Sequence, residues 1–259
     1  MFQLAGLGLG SEVFDEKVEP MKTKRNHLFE LLLVLGVSLG ASAIWSILSL
    51  IRKLLAPEGL AGTTTAINRP LATQEYLDLA YQLANILLPL VPALLALYFL
   101  AQDLKLGEIG LAPKKKDLLH GIVLAAAIGV PGIGLYFVAL WLGLSSQIQP
   151  NSLNGYWWTI PVLILAAAKA SILEEIIVVA FLTEKLKFTG ATFLSIVLVS
   201  ALIRGSYHLY QGFGGFVGNM VMGIVFAIYY QKTRRVAPLL VAHFVMDATV
   251  FVFAPLVLG

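Results

Sequence analysis

Long, uninterrupted apolar runs constrain this chain more than any other feature of its sequence. A helix rises about 1.5 Å per residue, so about 20 apolar residues are enough to cross the hydrocarbon core of a bilayer. Inside lipid the backbone must bond to itself, which leaves helices or closed barrels, and barrels show shorter, alternating strands. The sequence therefore predicts an all-α, polytopic transmembrane bundle with about seven spans: 28–51, 76–101, 118–144, 157–182, 191–210, 216–230 and 236–258.

Composition agrees with an integral membrane protein. Hydrophobic residues make up 58% of the chain, and charged residues make up only 13%, against about 25% in soluble domains. The net charge of +3 comes from lysines and arginines beside the apolar runs. In that position basic residues set topology and contact anionic lipid, so we expect the bilayer as partner and no nucleic acid. The absence of cysteine excludes disulfides and thiolate metal sites.

The distribution of basic residues predicts the orientation. With the N-terminus in the cytoplasm, most of the 18 lysines and arginines lie on the cytoplasmic side, and only Arg52, Lys53 and Arg69 lie outside. We therefore expect a multi-pass protein of the cell membrane. Its predicted parts are a cytoplasmic N-terminal segment (1–27), N-terminal transmembrane helices (28–157) and a core (158–259). Pro89 and Pro92 predict a kink in the second span.

Ionisable residues inside the later spans indicate a polar site. Each charged side chain at mid-helix costs about 3 kcal/mol on insertion scales. The residues concerned are therefore expected to face one another or a water-filled cavity. They are Lys169, Glu174 and Glu175 in the fourth span, Arg204 and His208 in the fifth, and His243 and Asp247 in the seventh.

The spacing of these residues favours convergence on one centre. His243 and Asp247 are four residues apart and share a helix face, as do Arg204 and His208. The two adjacent glutamates point about 100° apart, so only one can face a common centre directly. Hydrolases use such groups: a carboxylate activates water, and imidazoles bind water, a metal or an oxyanion.

Three motifs in this order resemble the CAAX-protease and bacteriocin-processing (CPBP, or ABI) family of intramembrane endopeptidases. Residues 173–181 carry the diglutamate, residues 204–212 carry the histidine of a Phe-x-x-x-His motif, and residues 243–247 form a His-x-x-x-Asp motif. Each motif alone is weak. Their order and spacing within apolar helices match the family over about residues 158–250, and this combination is specific.

The resemblance implies a peptidase mechanism and assigns roles within it. Glu174 would be the general base on water, assisted by Glu175, and His208 would share the activation of that water. His243 and Asp247 would stabilise the oxyanion or bind a metal. The metal candidates are Glu174, His208, His243 and Asp247; the family resemblance is compatible with a divalent ion such as zinc and with no metal. The implied partner is a membrane-embedded or prenylated protein or peptide substrate, or another membrane protein.

Two departures from the family pattern leave alternatives open. Val179 stands where the family has an arginine, and Arg204 stands where it has a phenylalanine. We hypothesise that Arg204 supplies the missing positive charge from another helix. The alternative is a catalytically altered member that acts as a scaffold or regulator of membrane or cell-envelope enzymes. An ion-coupled transporter is less favoured, because no inverted repeat is visible.

Simpler interpretations of the polar residues are weighed beside the catalytic one. Glu174, Glu175, His208, His243 and Asp247 could serve as hydrogen-bonding contacts between helices. Lys169 lies five residues before Glu174 and off its face. We interpret it as part of a structural ion pair or as a side chain that reaches for the membrane surface.

Overall fold

The computed structural model describes residues 26–258, with side chains through residue 253, so almost all of the predicted segment 1–27 lies outside it. The described chain is mostly helical. Its α-helices are α1 (His27–Gly36), α2 (Leu39–Leu54), α3 (Gly59–Gly62), α4 (Glu75–Leu87), α5 (Leu90–Ala101), α6 (Lys115–Trp141), α7 (Thr159–Glu174), α8 (Leu182–Phe188), α9 (Phe193–Ser206), α10 (Phe213–Thr233) and α11 (Ala237–Leu258). A π-helical segment, Glu175–Phe181, joins α7 to α8, and 3-10 turns cover Leu106–Ile109 and Leu209–Gln211.

Among residues 26–258, three helical stretches are long and apolar enough to cross a membrane: Glu75–Ala101, Lys115–Trp141 and Phe213–Thr233. The bent pair α1 and α2 makes a fourth if it forms one span. Helix α9 and the part of α11 with described side chains, Ala237–Phe253, are apolar but shorter. The prediction of a helical membrane protein is thus confirmed, whereas the number of seven spans and the orientation stay predictions.

The first and second apolar runs are interrupted. Helices α1 and α2 meet at an angle of 48°, where Ser38 leaves the helical region at φ −136° and ψ −119°. The Ser38 hydroxyl donates to the Val34 carbonyl over 2.5 Å. The predicted continuous run 28–51 is therefore bent, because serine can satisfy helix carbonyls itself. In the second run, regular α-helix is interrupted between α4 and α5 at Pro89, although Glu75–Ala101 remains one helical stretch.

Two short strands lie in segments that the sequence pattern predicts as loops. Strands β1 (Thr64–Asn68) and β2 (Gln147–Asn151) pair in parallel, with Thr65 opposite Ile148. Lys53 is only 6% exposed, although the charge pattern places it in an outside loop. Its ammonium donates to the Thr65 hydroxyl, to the Ser146 hydroxyl over 3.2 Å and to the Tyr210 carbonyl over 2.5 Å. Lys53 thus ties the strand pair to the turn after α9.

Close helix packing brings the three motif helices together. Helix α9 packs on α10, and α11 packs on both α6 and α7. A Cβ at Gly223 would lie 2.9 Å from the Ala201 Cα, and one at Gly121 would lie 2.5 Å from the Val241 Cβ. These contacts are possible because glycine lets helix backbones approach closely. Helix α11 thus packs on α7, and α9 contacts the π-helical segment that follows α7.

A group of charged residues joins α8 to the N-terminal helices; we call it the α8 ion cluster, and it comprises His27, Glu30, Asp103 and Lys185. Lys185 is fully buried and pairs with Glu30 and with the Asp103 Oδ2 at 2.5 Å. The His27 Nδ1 lies 3.7 Å from the same Asp103 oxygen. The cluster therefore links α1, the end of α5 and α8.

Candidate active site

The diglutamate lies at the junction between α7 and the π-helical segment. Glu174 is the last residue of α7, and every residue from Glu175 to Phe181 is buried. The Ser200 hydroxyl donates to the Val178 carbonyl within this segment over 2.9 Å. Short π-helical insertions are rare and occur frequently at functional sites. Apolar periodicity gives no sign of this one, so the sequence does not predict it.

Glu175 is the inner carboxylate of the site and is fully buried. Its Oε1 accepts a hydrogen bond from the Arg204 Nη2 at 2.7 Å and lies 2.6 Å from the His243 Nδ1. Its Oε2 has no hydrogen-bond partner among the described residues. Because two donors converge on one oxygen, Glu175 is fixed in place rather than open to a substrate.

Glu174 is the outer carboxylate. Its side chain is 11% exposed, and its Oε2 accepts a hydrogen bond from the Tyr207 hydroxyl at 2.7 Å. The same oxygen lies 3.5 Å from the Arg204 Nη1 and 4.0 Å from the His243 Nε2. Glu174 therefore shares its cation with Glu175 and keeps partial access to open space. Tyr207 was not among the predicted site residues, although it lies three residues after Arg204 and so on a similar helix face.

Arg204 reaches both carboxylates from α9 with a fully buried side chain. Its guanidinium carbon lies 5.4 Å from the centre of the Phe226 ring, a cation–π distance. Val179, at the position of the family arginine, is fully buried in the apolar core of the π-helical segment. The cation beside the diglutamate thus comes from α9 and not from the helix that carries the glutamates.

The two histidines take different places. The His243 Nε2 lies 3.4 Å from the Asp247 Oδ2, so His243 stands between Asp247 and Glu175. The His208 Nδ1 lies 2.9 Å from the Arg204 carbonyl. Since a carbonyl only accepts, this nitrogen carries the proton, and the Nε2 of neutral His208 is left as an acceptor. His208 is therefore joined to the network through the Arg204 backbone.

A cavity of about 470 Å³ opens beside the outer carboxylate. It lies between α2, α7 and the residues that follow α9, and Glu174 and His208 both line it. The Ser46 hydroxyl on α2 lines it as well and donates to the Tyr207 carbonyl over 2.7 Å. Of the predicted site residues, Glu175, His243, Asp247 and Arg204 do not line this cavity. Glu174 and His208 therefore face open space in this cavity, whereas Glu175, Arg204 and His243 are buried. Asp247 is 26% exposed but lies outside the cavity lining.

The charge distribution argues against a divalent metal at this network. Donor atoms of Glu174, Glu175 and His243 lie within 4.8 Å of one another, and a zinc ion would need each of them at about 2.0–2.2 Å. The Arg204 guanidinium already contacts both carboxylates. A dication between them would face that guanidinium at close range, which is unfavourable. The residues present therefore do not fit a metal ion, and no catalytic step is derived through one.

Comparison with known families agrees with the motifs. Residues 156–249 match the family model described as Type II CAAX prenyl endopeptidase Rce1-like. Over this segment, which is less than half of the chain, the protein is similar to that family. The match confirms the resemblance to CAAX proteases and, with the apolar helices, indicates a membrane protein. The description of that family names a prenyl endopeptidase, and this is what the segment is similar to. No curated protein and no solved structure matches the chain.

Proposed function

We propose that this protein is an intramembrane endopeptidase in which Glu174 activates a water molecule for attack on a peptide bond. The observation that carries the proposal is the different access of the two adjacent carboxylates. Glu174 lines the cavity, whereas Glu175 is fully buried between Arg204 and His243. A general base must reach the water that it deprotonates, and only the outer carboxylate can do so.

The remaining residues divide into those that face the substrate and those that support the base. His208 lines the cavity, and its Nε2 would accept a hydrogen bond from the water. Glu174, once it has taken a proton from that water, would pass the proton to the leaving amine. The Tyr207 hydroxyl donates to the Glu174 carboxylate and would orient that carboxylate toward the water. Arg204, His243, Asp247 and Glu175 would keep the local charge fixed, which lowers the reorganisation that the reaction requires.

The proposed substrate is a membrane-associated, prenylated protein or peptide, as the description of the Rce1-like family suggests. The cavity supports this choice because its lining is mixed. Leu39, Trp45 and Leu173 give it an apolar wall, and the serines of α2 give it hydroxyl groups. An apolar wall suits a lipid-modified side chain, and hydroxyl groups suit a peptide backbone.

The same proposal places the chain in the cell membrane with about seven passes and a cytoplasmic N-terminus. The continuous stretch formed by α7, the π-helical segment and α8 runs from residue 159 to residue 188, long enough for a further span at about 1.5 Å per residue. The shorter helices α9 and α11 would complete the core, 158–259, behind the N-terminal helices, 28–157.

Replacing the base tests the mechanism. Glu174→Gln keeps the shape of the side chain but cannot take a proton, so hydrolysis should fall by about 10²- to 10⁴-fold. The assay uses the purified protein in liposomes, a farnesylated peptide that ends in Cys-aliphatic-aliphatic-X, and mass spectrometry of the products. Glu58→Gln is the matched control, because Glu58 is exposed between α2 and α3. Full activity in Glu174→Gln would exclude Glu174 as the base.

A second candidate is a catalytically altered family member that acts as a scaffold or regulator of membrane enzymes. It is favoured by Val179 in place of the family arginine and by the internal pairing of Glu175 with Arg204 and His243. The double variant Glu174→Ala, Glu175→Ala distinguishes the two functions. A scaffold predicts that this variant complements a deletion strain, and a peptidase predicts that it does not.

A further inference from the structure

The side chain of Lys169 has an unusual position for a lysine in an apolar helix. It lies on α7 in the wall of the cavity that Glu174 and His208 also line. It makes no hydrogen bond or ion pair within contact distance to any described residue. Lys169 is half-buried, whereas the more deeply buried Lys53, Lys185 and Arg204 all have such partners.

The sequence-based interpretation of Lys169 does not account for this arrangement. A structural ion pair would place a carboxylate within 4 Å, and none lies there among the described residues. A side chain that reaches for the membrane surface would not line the cavity beside Glu174. A positive charge at this depth is unfavourable unless an anion or water meets it. The carboxylates of Glu174 and Asp247 attract Lys169, but neither is within contact distance, so the ammonium hydrogens stay available to a ligand in the cavity.

We propose that Lys169 binds an anionic group, a peptide carboxylate, of the molecule that occupies the cavity. The ammonium is a strong donor to a carboxylate, and the hydroxyl groups of Ser42 and Ser49 line the same space. Lys169 precedes Glu174 by five residues on α7, or about 7.5 Å along the helix axis. An extended peptide covers that distance with about two to three residues.

Lys169 would thus select among substrates. A peptide whose carboxylate pairs with Lys169 would have a bond only a few residues away placed beside Glu174. The claim that the bound molecule is a substrate rests on the proposed peptidase function. The anion-binding property itself does not depend on catalysis, so it can be measured without turnover.

The first test compares two peptides that differ in one charge. The farnesylated peptide described above is used with a free C-terminal carboxylate and with a C-terminal amide. The amide should raise KM about 10- to 100-fold for the unchanged protein, the range expected for one charged hydrogen bond. Lys169→Met should raise KM for the carboxylate peptide by a similar factor and remove the discrimination, and Lys169→Arg should retain most of it.

Lys116→Met serves as the matched control, since Lys116 is exposed at the start of α6. It should leave the KM of both peptides and their ratio unchanged. If Lys169→Met discriminates between carboxylate and amide as well as the unchanged protein does, the assignment is overturned. A fall in kcat without a change in KM ratio would also contradict it, because that result indicates a role in folding or in the base.

A binding experiment separates this inference from the proposed function. Fluorescently labelled carboxylate and amide peptides are titrated into the Glu174→Gln protein and into the Glu174→Gln, Lys169→Met protein, both in liposomes. Tighter binding of the carboxylate that depends on Lys169 supports the anion site even if no preparation cleaves peptide. Equal affinities for the two peptides overturn the site whether or not the protein is a peptidase.

The same experiment identifies the source of the anion. It is run in vesicles of phosphatidylcholine alone and in vesicles with added phosphatidylglycerol. A Lys169-dependent preference for the carboxylate in both vesicles supports a peptide ligand. If the preference vanishes and Lys169 instead makes peptide binding sensitive to phosphatidylglycerol, the ligand is a lipid phosphate and the proposal of a peptide carboxylate is wrong.

Discussion

The candidate active site and the α8 ion cluster contain the same kinds of residue. Each contains a fully buried cation between two carboxylates, with histidine nearby: Arg204 lies between Glu174 and Glu175 in one, and Lys185 lies between Glu30 and Asp103 in the other. The two differ in access. Of the described residues that line the cavity beside Glu174, none belongs to the α8 ion cluster. Access to open space, and not the set of charged groups, distinguishes a candidate reaction centre here.

The difference has a second part, which is the kind of cation. The Arg204 guanidinium spreads its charge over two carboxylates on adjacent residues of one helix, while the Lys185 ammonium links residues of α1, α5 and α8. A guanidinium presents several donors in a fixed plane, whereas an ammonium acts as a compact charge. Arg204 therefore fixes the positions of two neighbouring carboxylates, whereas Lys185 holds three helices together.

The largest expected effect comes from Arg204. Arg204→Ala leaves two carboxylates without their cation in a buried site, which should cost about 3–5 kcal/mol of unfolding free energy and abolish hydrolysis. Arg204→Lys keeps the charge but loses the planar donors, so it should retain part of both. Unfolding in detergent and peptide cleavage in liposomes measure the two effects. Equal losses in both variants, or no loss in either, would contradict the role of Arg204 as the substitute cation.

Lys185→Met should affect stability without affecting chemistry. Removing the cation from the α8 ion cluster should cost about 3–5 kcal/mol of unfolding free energy. The turnover number per folded molecule should stay within about twofold, because no member of the cluster lines the cavity. Lys187→Met is the matched control, since its pair with Glu184 is one-third exposed and contributes less than about 1 kcal/mol. A folded Lys185→Met protein without turnover would remove the distinction between the two regions.

The smallest effect is expected for Tyr207→Phe, which deletes one hydrogen bond to the outer carboxylate. The loss should be about 1 kcal/mol, seen as a fall in kcat of about five- to tenfold with little change in melting temperature. Tyr76→Phe on the exposed surface of α4 is the control. If Tyr207→Phe melts much earlier and turns over normally, Tyr207 belongs with the structural contacts and not with the site.

The sequence allows the position of the polar site to be anticipated, because the cost of burying charge acts on every helix in the same way. Glu174, Glu175, His243 and Asp247 carry charges or imidazoles in apolar helices, and helix spacing sets their faces. The sequence does not fix the pairing of Arg204 with the two glutamates. Val179 shows only that the helix of the glutamates lacks the family's arginine, and it does not say which residue replaces that charge. Residue spacing does not tell which of Glu174 and Glu175 faces open space. That distinction depends on the position of the cavity, which only the structure shows.

Other features depend on contacts between distant segments and leave no local pattern. Lys53 reads as a loop charge by hydropathy, yet it lies buried against Thr65, Ser146 and the Tyr210 carbonyl. Glu30 interrupts an apolar run, yet it pairs with Lys185, far along the chain. Strands β1 and β2 are five residues each and pair across a long separation. In each case the structure depends on a contact with a residue distant in sequence, and a single sequence does not identify that residue.

The π-helical segment sets the angular phase between the two charged regions. Glu174 directly precedes the segment, and Glu175 is its first residue. Lys185 lies four residues after Phe181, the last residue of the segment. Each residue of a regular α-helix turns the chain by about 100°, and a π-helical turn contains an extra residue. Removing one residue between 175 and 181 would therefore rotate Lys185 relative to Glu174 by about one helical position. One of the two charged regions would then lose its alignment, so the length of this segment is a constraint independent of which apolar residues fill it.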